Sequence, residues 1–260
     1  MSILRPGGRR LSKNLNNVPK FDDRGRHRKM VRSLIAEFGR DAAMKSAPGG
    51  DFEAIGILER ELLIQEGLRN DGYLIDVGCG SGRLASPLSD YLTGRYLGID
   101  IVPEMVRHAR RLVRRSNWRF EVAAGLSIPE EDHTADMVCF FSVFTHLLPE
   151  QSFVYLQESV RVLKPEGKIV FSFLEFEEPA HWPIFENAIR NLNSTSHPMT
   201  AFVERSAIRT WAAHLNLKIE AIVDASAPHI NLERPLTLDS GALLQGKVAF
   251  GQSICVLTSG

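Results

Sequence analysis

The sequence predicts an α/β fold, a doubly wound sheet of mostly parallel strands. Three observations predict it. From Tyr73 onward, short apolar runs of strand length alternate with amphipathic segments of helix length. The first of these strands runs directly into a glycine-rich turn with a helix behind it. The chain has 260 residues, 44% of them hydrophobic, enough for one α/β unit with embellishments and a sizeable core.

The first 30 residues are expected to be a basic, flexible arm. Ten of the 31 Lys and Arg fall in residues 1–32, against Asp22 and Asp23, which leaves 21 basic and 29 acidic residues elsewhere. Such an arm suits contact with nucleic acid or an acidic surface, a solvated tail, or a cover for its own acidic body. Gly8-Arg9-Arg10-Leu11 resembles a twin-arginine export signal, but the polar stretch Asn14 to Lys20 follows it, which argues against export.

Residues 31–70 read as N-terminal helices. Val31, Leu34, Ile35 and Phe38 share one face; Ala47-Pro48-Gly49-Gly50 breaks the chain, and Asp51 is placed to cap a helix carrying Ile55, Leu58, Leu62 and Leu63. The strand Tyr73–Val77 comes next, then a helix to about Leu92 and a strand at Tyr96–Ile99. Pro103 suits the first position of a helix that turns Met105, Val106, Ala109, Leu112 and Val113 inward. Its arginines, Arg107, Arg110, Arg111, Arg114 and Arg115, form a solvated outer face. Trp118–Val122 and Asp136–Ser142 are strands, Pro149 opens a further helix, and Lys164-Pro165-Glu166-Gly167 turns the chain into the strand Lys168–Leu174. Right-handed crossovers place the strand C-termini on one edge, where ligands of open sheets bind.

Composition excludes several classes. No apolar run approaches the eighteen or so residues of a membrane span. Cys79, Cys139 and Cys255 form no C-x-x-C pair, and no H-x-x-x-H pair occurs, so neither a disulfide scaffold nor a protein-held metal is expected. This cysteine usage fits a reducing cytoplasm.

The most informative stretch is Asp76-Val77-Gly78-Cys79-Gly80-Ser81-Gly82-Arg83. Glycines at every second position let backbone approach a ligand, and the next helix offers free N–H groups. Asp100 ends the following strand, where a carboxylate can accept bonds from a ribose diol. A dinucleotide fingerprint needs glycine at position 83, where Arg83 stands. Asp76 would repel a pyrophosphate and suits a ligand bearing an ammonium group. A nucleoside with an amino-acid tail, S-adenosylmethionine, meets both conditions.

Asp76 to Gly82 is similar to motif I of the class I S-adenosylmethionine-dependent methyltransferases, of the small-molecule, type 11/25-like kind. Tyr96-Leu97-Gly98-Ile99-Asp100 resembles their second motif, and Leu163-Lys164-Pro165-Glu166-Gly167-Lys168 their "LKPGG" turn. The resemblance covers roughly residues 70–175 in order and spacing. It implies a methyltransferase domain over 71–260, with a seven-stranded sheet whose last strands, Leu217–Val223 and Ser253–Thr258, are an antiparallel pair. Residues 225–250 then form a β insertion, with strands Pro228–Leu238 and Ala242–Ala249 joined at Asp239-Ser240-Gly241. The N-terminal helices take the part of a lid.

The resemblance also implies a cofactor set: backbone at Gly78, Cys79, Gly80, Ser81 and Gly82 for the methionine part, Asp76 beside it, Asp100 on the ribose, Ile101 on the adenine, and Ser142 at the end of the fourth strand. The family often has Asp after its third strand to hold the adenine amino group; Ala124 stands there, and backbone at Gly125 and Leu126 is the expected substitute. After the fourth strand this chain reads Phe140-Phe141-Ser142-Val143-Phe144-Thr145-His146, without the proline pair usual in enzymes that methylate base or amide nitrogen. That points to a small-molecule acceptor, with oxygen the expected atom. His146 has two readings, a general base for a hydroxyl or a histidine that caps the next segment or packs on the cofactor. Glu175 is a second catalytic candidate, and Phe176, Trp182 and Phe185 are candidates for the wall of an acceptor pocket. Two other functions compete: an RNA or protein methyltransferase that uses the basic arm, and a non-catalytic protein that binds S-adenosylmethionine.

Overall fold

A computed structural model describes residues 23–259. Most of the expected basic arm lies outside the described residues. Its last part does not: helix α1 begins at Asp23 and runs to Phe38, seven residues ahead of the expected start at Met30. α2 (Arg40–Ser46) and α3 (Phe52–Gln65) follow. Asp51 caps α3 by accepting the Ala54 N–H at 2.9 Å.

The alternation then runs β1 (Tyr73–Val77), α4 (Ala85–Leu88), β2 (Arg95–Asp100), α5 (Pro103–Val113), β3 (Trp118–Val122), β4 (Ala135–Phe140), α6 (Pro149–Val162) and β5 (Leu163–Phe173). α7 (Trp182–Arg190) and α8 (Arg205–Leu215) lead to β6 (Leu217–Val223), and β9 (Ser253–Ser259) ends the chain's regular structure. Seven strands pair in the order β3-β2-β1-β4-β5-β9-β6. β9 is antiparallel to both neighbours, and the others run parallel. The expected α/β class and seven-stranded sheet are therefore observed.

Both faces of the sheet are buried, which accounts for the near-continuous apolar strands. In β1 the two-residue period divides the chain between two cores: Ile75 packs with Phe140, Phe144 and Phe171, while Leu74 packs with Leu62, Leu88 and Tyr96. α3 supplies Leu58, Leu62 and Leu63 to the second core, so it is part of the sheet's own packing.

Two local expectations are corrected. The helix after β1 ends at Leu88, not near Leu92: the Ser89 hydroxyl takes the Ser86 carbonyl at 2.7 Å, and Tyr91 and Leu92 both bond back to the Leu88 carbonyl in turns. Lys164 to Gly167 does not precede β5 but lies within it. Leu163 already pairs with Ala135, and the register resumes only at Lys168 opposite Met137. The arginine face of α5 is also less solvated than expected. Arg110 donates to the Phe120 carbonyl, and Arg115 donates to the Ser89 carbonyl at 2.9 Å and lies over the Trp118 ring.

Between β6 and β9, β7 (Ile230–Thr237) and β8 (Leu243–Val248) form a separate two-stranded sheet. It rests on α3, where the Gln65 side chain bonds the His229 carbonyl at 3.2 Å and the Asn231 N–H at 2.5 Å. No helix among the described residues is long and apolar enough to cross a membrane.

Candidate active site

The strand order reverses between β1 and β4, which opens a crevice at their C-terminal ends. A cavity of ≈1210 Å³ lies there. Its size exceeds the 300–1,000 Å³ or so of a pocket for one drug-sized ligand, leaving room for two.

The glycine loop forms one end. Gly78 and Cys79 both donate their N–H groups to the Ile99 carbonyl, at 2.7 and 3.0 Å, which binds the loop to β2. Gly78 has φ +83°, and a Cβ there would lie 2.3 Å from Val143 Cγ2, so only glycine fits. The Gly80 N–H donates to Asp100 Oδ2 at 3.0 Å, and Val102 N–H donates to its Oδ1 at 2.7 Å. Burial pushes the Asp100 carboxyl above its usual range, opposed by these two bonds and by the charge of His27.

Asp76 is buried beneath the loop. Tyr96 donates its hydroxyl to Oδ2 at 2.6 Å, and the Cys139 thiol approaches Oδ1 at 3.7 Å. Burial pushes the carboxyl up to about 7, opposed chiefly by the Tyr96 bond, with the nearby Glu59 charge raising it further. Glu59 itself is buried on α3 and bonded at 2.5 Å to Arg83, whose guanidinium also holds the Pro48 and Gly49 carbonyls at 3.3 and 3.1 Å. Three carboxylates, Glu59, Asp76 and Asp100, thus line this end of the cavity with Arg83 as the near cation. A ligand carrying positive charge offsets that excess.

Of the expected cofactor residues, Asp76, Gly78, Cys79, Gly80, Asp100, Ile101, Gly125, Leu126 and Ser142 all line the cavity. Ser81 and Gly82 do not, and both are corrected to packing roles. Ser81 is fully buried and donates to the Met44 carbonyl at 2.6 Å, tying the loop to α2. Gly82 lets α5 approach: a Cβ there would sit 3.1 Å from Ala109 Cα. Ala124 also lines the cavity, while the Gly125 carbonyl accepts the Tyr155 hydroxyl at 3.3 Å. Ser142 has φ +56° and donates its N–H to Ser172 Oγ at 2.8 Å.

The residues present therefore fit S-adenosylmethionine. The glycine loop and Asp76 would hold its amino-acid end, Asp100 its ribose, and Ile101, Gly125 and Leu126 its adenine.

His146 stands at the other end, in a 3₁₀ turn over Phe144–His146. Its Nδ1–H donates to the Met199 carbonyl at 2.5 Å. A carbonyl only accepts, so Nδ1 carries the proton and the neutral ring keeps its lone pair on Nε2. The ring meets that of His27, from α1, edge to face at 4.9 Å between centroids. Both histidines line the cavity, as do Arg24, Met30 and His197.

Glu175 has no catalytic placement. It is fully buried away from the cavity, where Arg205 binds both its oxygens at 2.7 and 2.8 Å and Ser253 donates to it. Although burial works against it, these partners hold its carboxyl below the usual range. Phe176, Trp182 and Phe185 also leave the site, joining Phe202 in a surface cluster with Phe176 stacked on Phe202 at 4.5 Å.

Sequence reasoning missed His27, Glu59 and Arg83 as site residues. For Glu59 a signal was available: it is a charged residue beside Leu58, Leu62 and Leu63 on the apolar face of a helix. For His27 no local signal existed, because it fell within the supposed arm.

A family model described as a methyltransferase domain matches residues 75–171. The ubiquinone biosynthesis O-methyltransferase of Colwellia psychrerythraea is 28% identical over 168 residues, covering 62% of this chain and 65% of that one. The ajmaline N-methyltransferase of Rauvolfia serpentina is 24% identical over 188 residues, covering 68% and 60%. The chain spans about half the length of the curated relatives it matches, 57% and 45% for two of them. Among solved structures, the magnesium protoporphyrin IX methyltransferase of Synechocystis, with bound S-adenosylhomocysteine, superposes with a TM-score of 0.54 at 16% identity, covering 80% of this chain and 86% of that one. Residues 75–171 thus match the methyltransferase-domain family, and the seven-stranded sheet that carries them has the fold of that solved methyltransferase.

Proposed function

We propose that this chain transfers a methyl group from S-adenosylmethionine to an oxygen atom of a small-molecule acceptor. The observation that carries this reading is one cavity with two unlike ends: an anionic glycine loop, and a histidine pair formed by His27 and His146. The names of relatives do not choose the atom, since both O- and N-methyltransferases match. The histidines favour oxygen, because a hydroxyl keeps its proton near neutral pH and needs a base to lose it.

Bound S-adenosylmethionine supplies an electrophilic methyl group, and the protein supplies position. Asp76 and the glycine-loop backbone fix the donor's charged tail. Asp100, already held by Gly80 and Val102, presents its carboxylate in a set orientation. His146, its Nδ1–H anchored on Met199, takes the acceptor's proton at Nε2. α1, whose Arg24 donates to the Ala123 carbonyl, covers the cavity and limits water.

Replacement His146→Ala tests the reading. Turnover, followed as S-adenosylhomocysteine release over a panel of phenols and alcohols, should fall by about 100-fold or more. Cofactor affinity should stay within a few-fold by calorimetry. Unchanged turnover removes the base role, and absence of cofactor binding to the parent protein removes the whole reading.

A further inference from the structure

Asp76 lies between two strands that offer its side chain different neighbours. On β4 it stands opposite Cys139, and on β2 opposite Gly98. Residues two apart in a strand share a face, so Tyr96, opposite Leu74, projects from β2 on the same side as position 98. Glycine at 98 lets the Tyr96 ring lie across that position: a Cβ there would sit 2.9 Å from both Tyr96 Cε1 and Phe120 Cδ1. The ring thereby reaches along the strand, and its hydroxyl donates to Asp76 Oδ2 at 2.6 Å.

The ring is fixed in place. It is fully buried, stacked on Trp118 at 4.6 Å and tilted against Phe120 at 5.4 Å between centroids. Burial and the neighbouring Asp76 charge push its phenol well above the ordinary range, so the hydroxyl keeps its proton and remains a donor. Three further groups face the carboxylate. The Cys139 thiol of β4 approaches Oδ1 at 3.7 Å, and Glu59 of α3 and Arg83 after the loop are paired with each other. The Cys79 thiol, pushed up by burial and by Asp76, stays neutral. Tyr96 is thus the short, strong donor to a carboxylate whose burial favours the protonated form.

Asp76 lines the cavity and Tyr96 does not. An ammonium group needs the Asp76 carboxylate ionised and turned in a set direction. Building on the reading of the methyl donor above, we infer that Tyr96 is a positioning residue for S-adenosylmethionine. Its hydroxyl orients the Asp76 carboxylate and holds it as an anion for the ligand's ammonium group. Tyr96 acts on the ligand only through Asp76.

Two ligands separate this role from a packing role. S-adenosylhomocysteine carries the amino-acid tail; 5′-methylthioadenosine shares its nucleoside and thioether and lacks the tail. Both are titrated by calorimetry into the full chain, parent and Tyr96→Phe, at about pH 7 and about pH 8.5. The parent should prefer S-adenosylhomocysteine by at least about ten-fold. Tyr96→Phe keeps the ring on Trp118 and Phe120. In it the preference should fall by about ten-fold at the lower pH and return in part at the higher, with 5′-methylthioadenosine affinity held within a few-fold. In an Asp76→Asn background the same replacement should change the preference by less than about two-fold. Equal losses for both ligands, or a loss that adds to that of Asp76→Asn, give Tyr96 a packing role and overturn the inference. An unchanged preference overturns it as well, and a loss equal at both pH values overturns the holding of the anion. A parent protein that binds the two ligands equally has no grip on the tail, which removes the inference and leaves the nucleoside site. A parent that binds neither overturns the donor reading beneath.

Discussion

α1 and α3 reach the same cavity from the N-terminal side, yet different chemistry holds each of them there. α3 inserts Leu58, Leu62 and Leu63 into the sheet's core and places Glu59 in a buried pair with Arg83, whose side chains are 2% and 9% exposed. α1 fully buries Val31 and half-buries Met30, Leu34 and Ile35 in a small cluster of its own, and its remaining fastenings are polar. Arg28 and Arg32, 43% and 60% exposed, both reach Glu104, and Lys29 reaches Thr195 at 2.8 Å. The loop at Pro48 and Gly49, drawn in by Arg83, belongs with α3. One helix is therefore a wall of the glycine-loop end of the cavity, and the other a cover for its histidine end whose contacts water and salt can reach.

The contrast breaks most readily at Arg83. Arg83→Met leaves Glu59 buried without its counter-charge and frees two carbonyls, so stability should fall by about 3–5 kcal/mol in urea unfolding. The double variant Glu59→Gln/Arg83→Met should recover part of that loss. A change below about 1 kcal/mol for the single variant makes the pair no stronger than the surface contacts of α1, and the distinction fails.

Asp76 sharpens the comparison through pH. Its folded carboxyl lies at about 7, against an ordinary 3.8. Between those values the folded protein holds a proton that the unfolded chain has already released. Stability of the ligand-free protein should therefore decline as pH rises from about 4 to about 7 and level off above. Cofactor affinity should run the other way. An ammonium group beside Asp76 favours the ionised form, so binding should strengthen toward pH 7, by up to about ten-fold per unit. Asp76→Asn should flatten both slopes in calorimetry and thermal melts. A slope that persists undiminished in the variant assigns it to Glu59 or Asp100, whose carboxyls burial also raises.

The smallest effect belongs to α1. Arg28→Ala/Arg32→Ala should cost less than about 1 kcal/mol in a thermal melt, and 0.5 M salt should reduce even that difference. A loss as large as that at Arg83 makes α1 as integral as α3.

Much of the glycine-loop end of the cavity was legible before the fold. Gly78, Gly80 and Asp100 follow from a strand–turn–strand pattern in which each residue's demand is local: a positive φ, a close approach, a strand end. Ser81 and Gly82 obey the same pattern but serve α2 and α5 instead, because a loop has two sides and spacing does not say which one meets the ligand. Glu175 was misread for a related reason. A carboxylate at a strand end looks the same in sequence whether it faces a cavity or Arg205.

The alternation of apolar runs, the glycine spacing and the proline-started helices were enough to determine the sheet, the edge where its cavity opens and the glycine loop that lines it. Backbone periods of two and 3.6 residues and the steric freedom of glycine are properties of neighbouring residues, so they can be read along the chain. The meeting of His27 with His146, of Glu59 with Arg83, and of Glu175 with Arg205 was decided by tertiary packing alone. Such pairs join segments whose separation and facing depend on how whole helices settle against the sheet, and no local period carries that information.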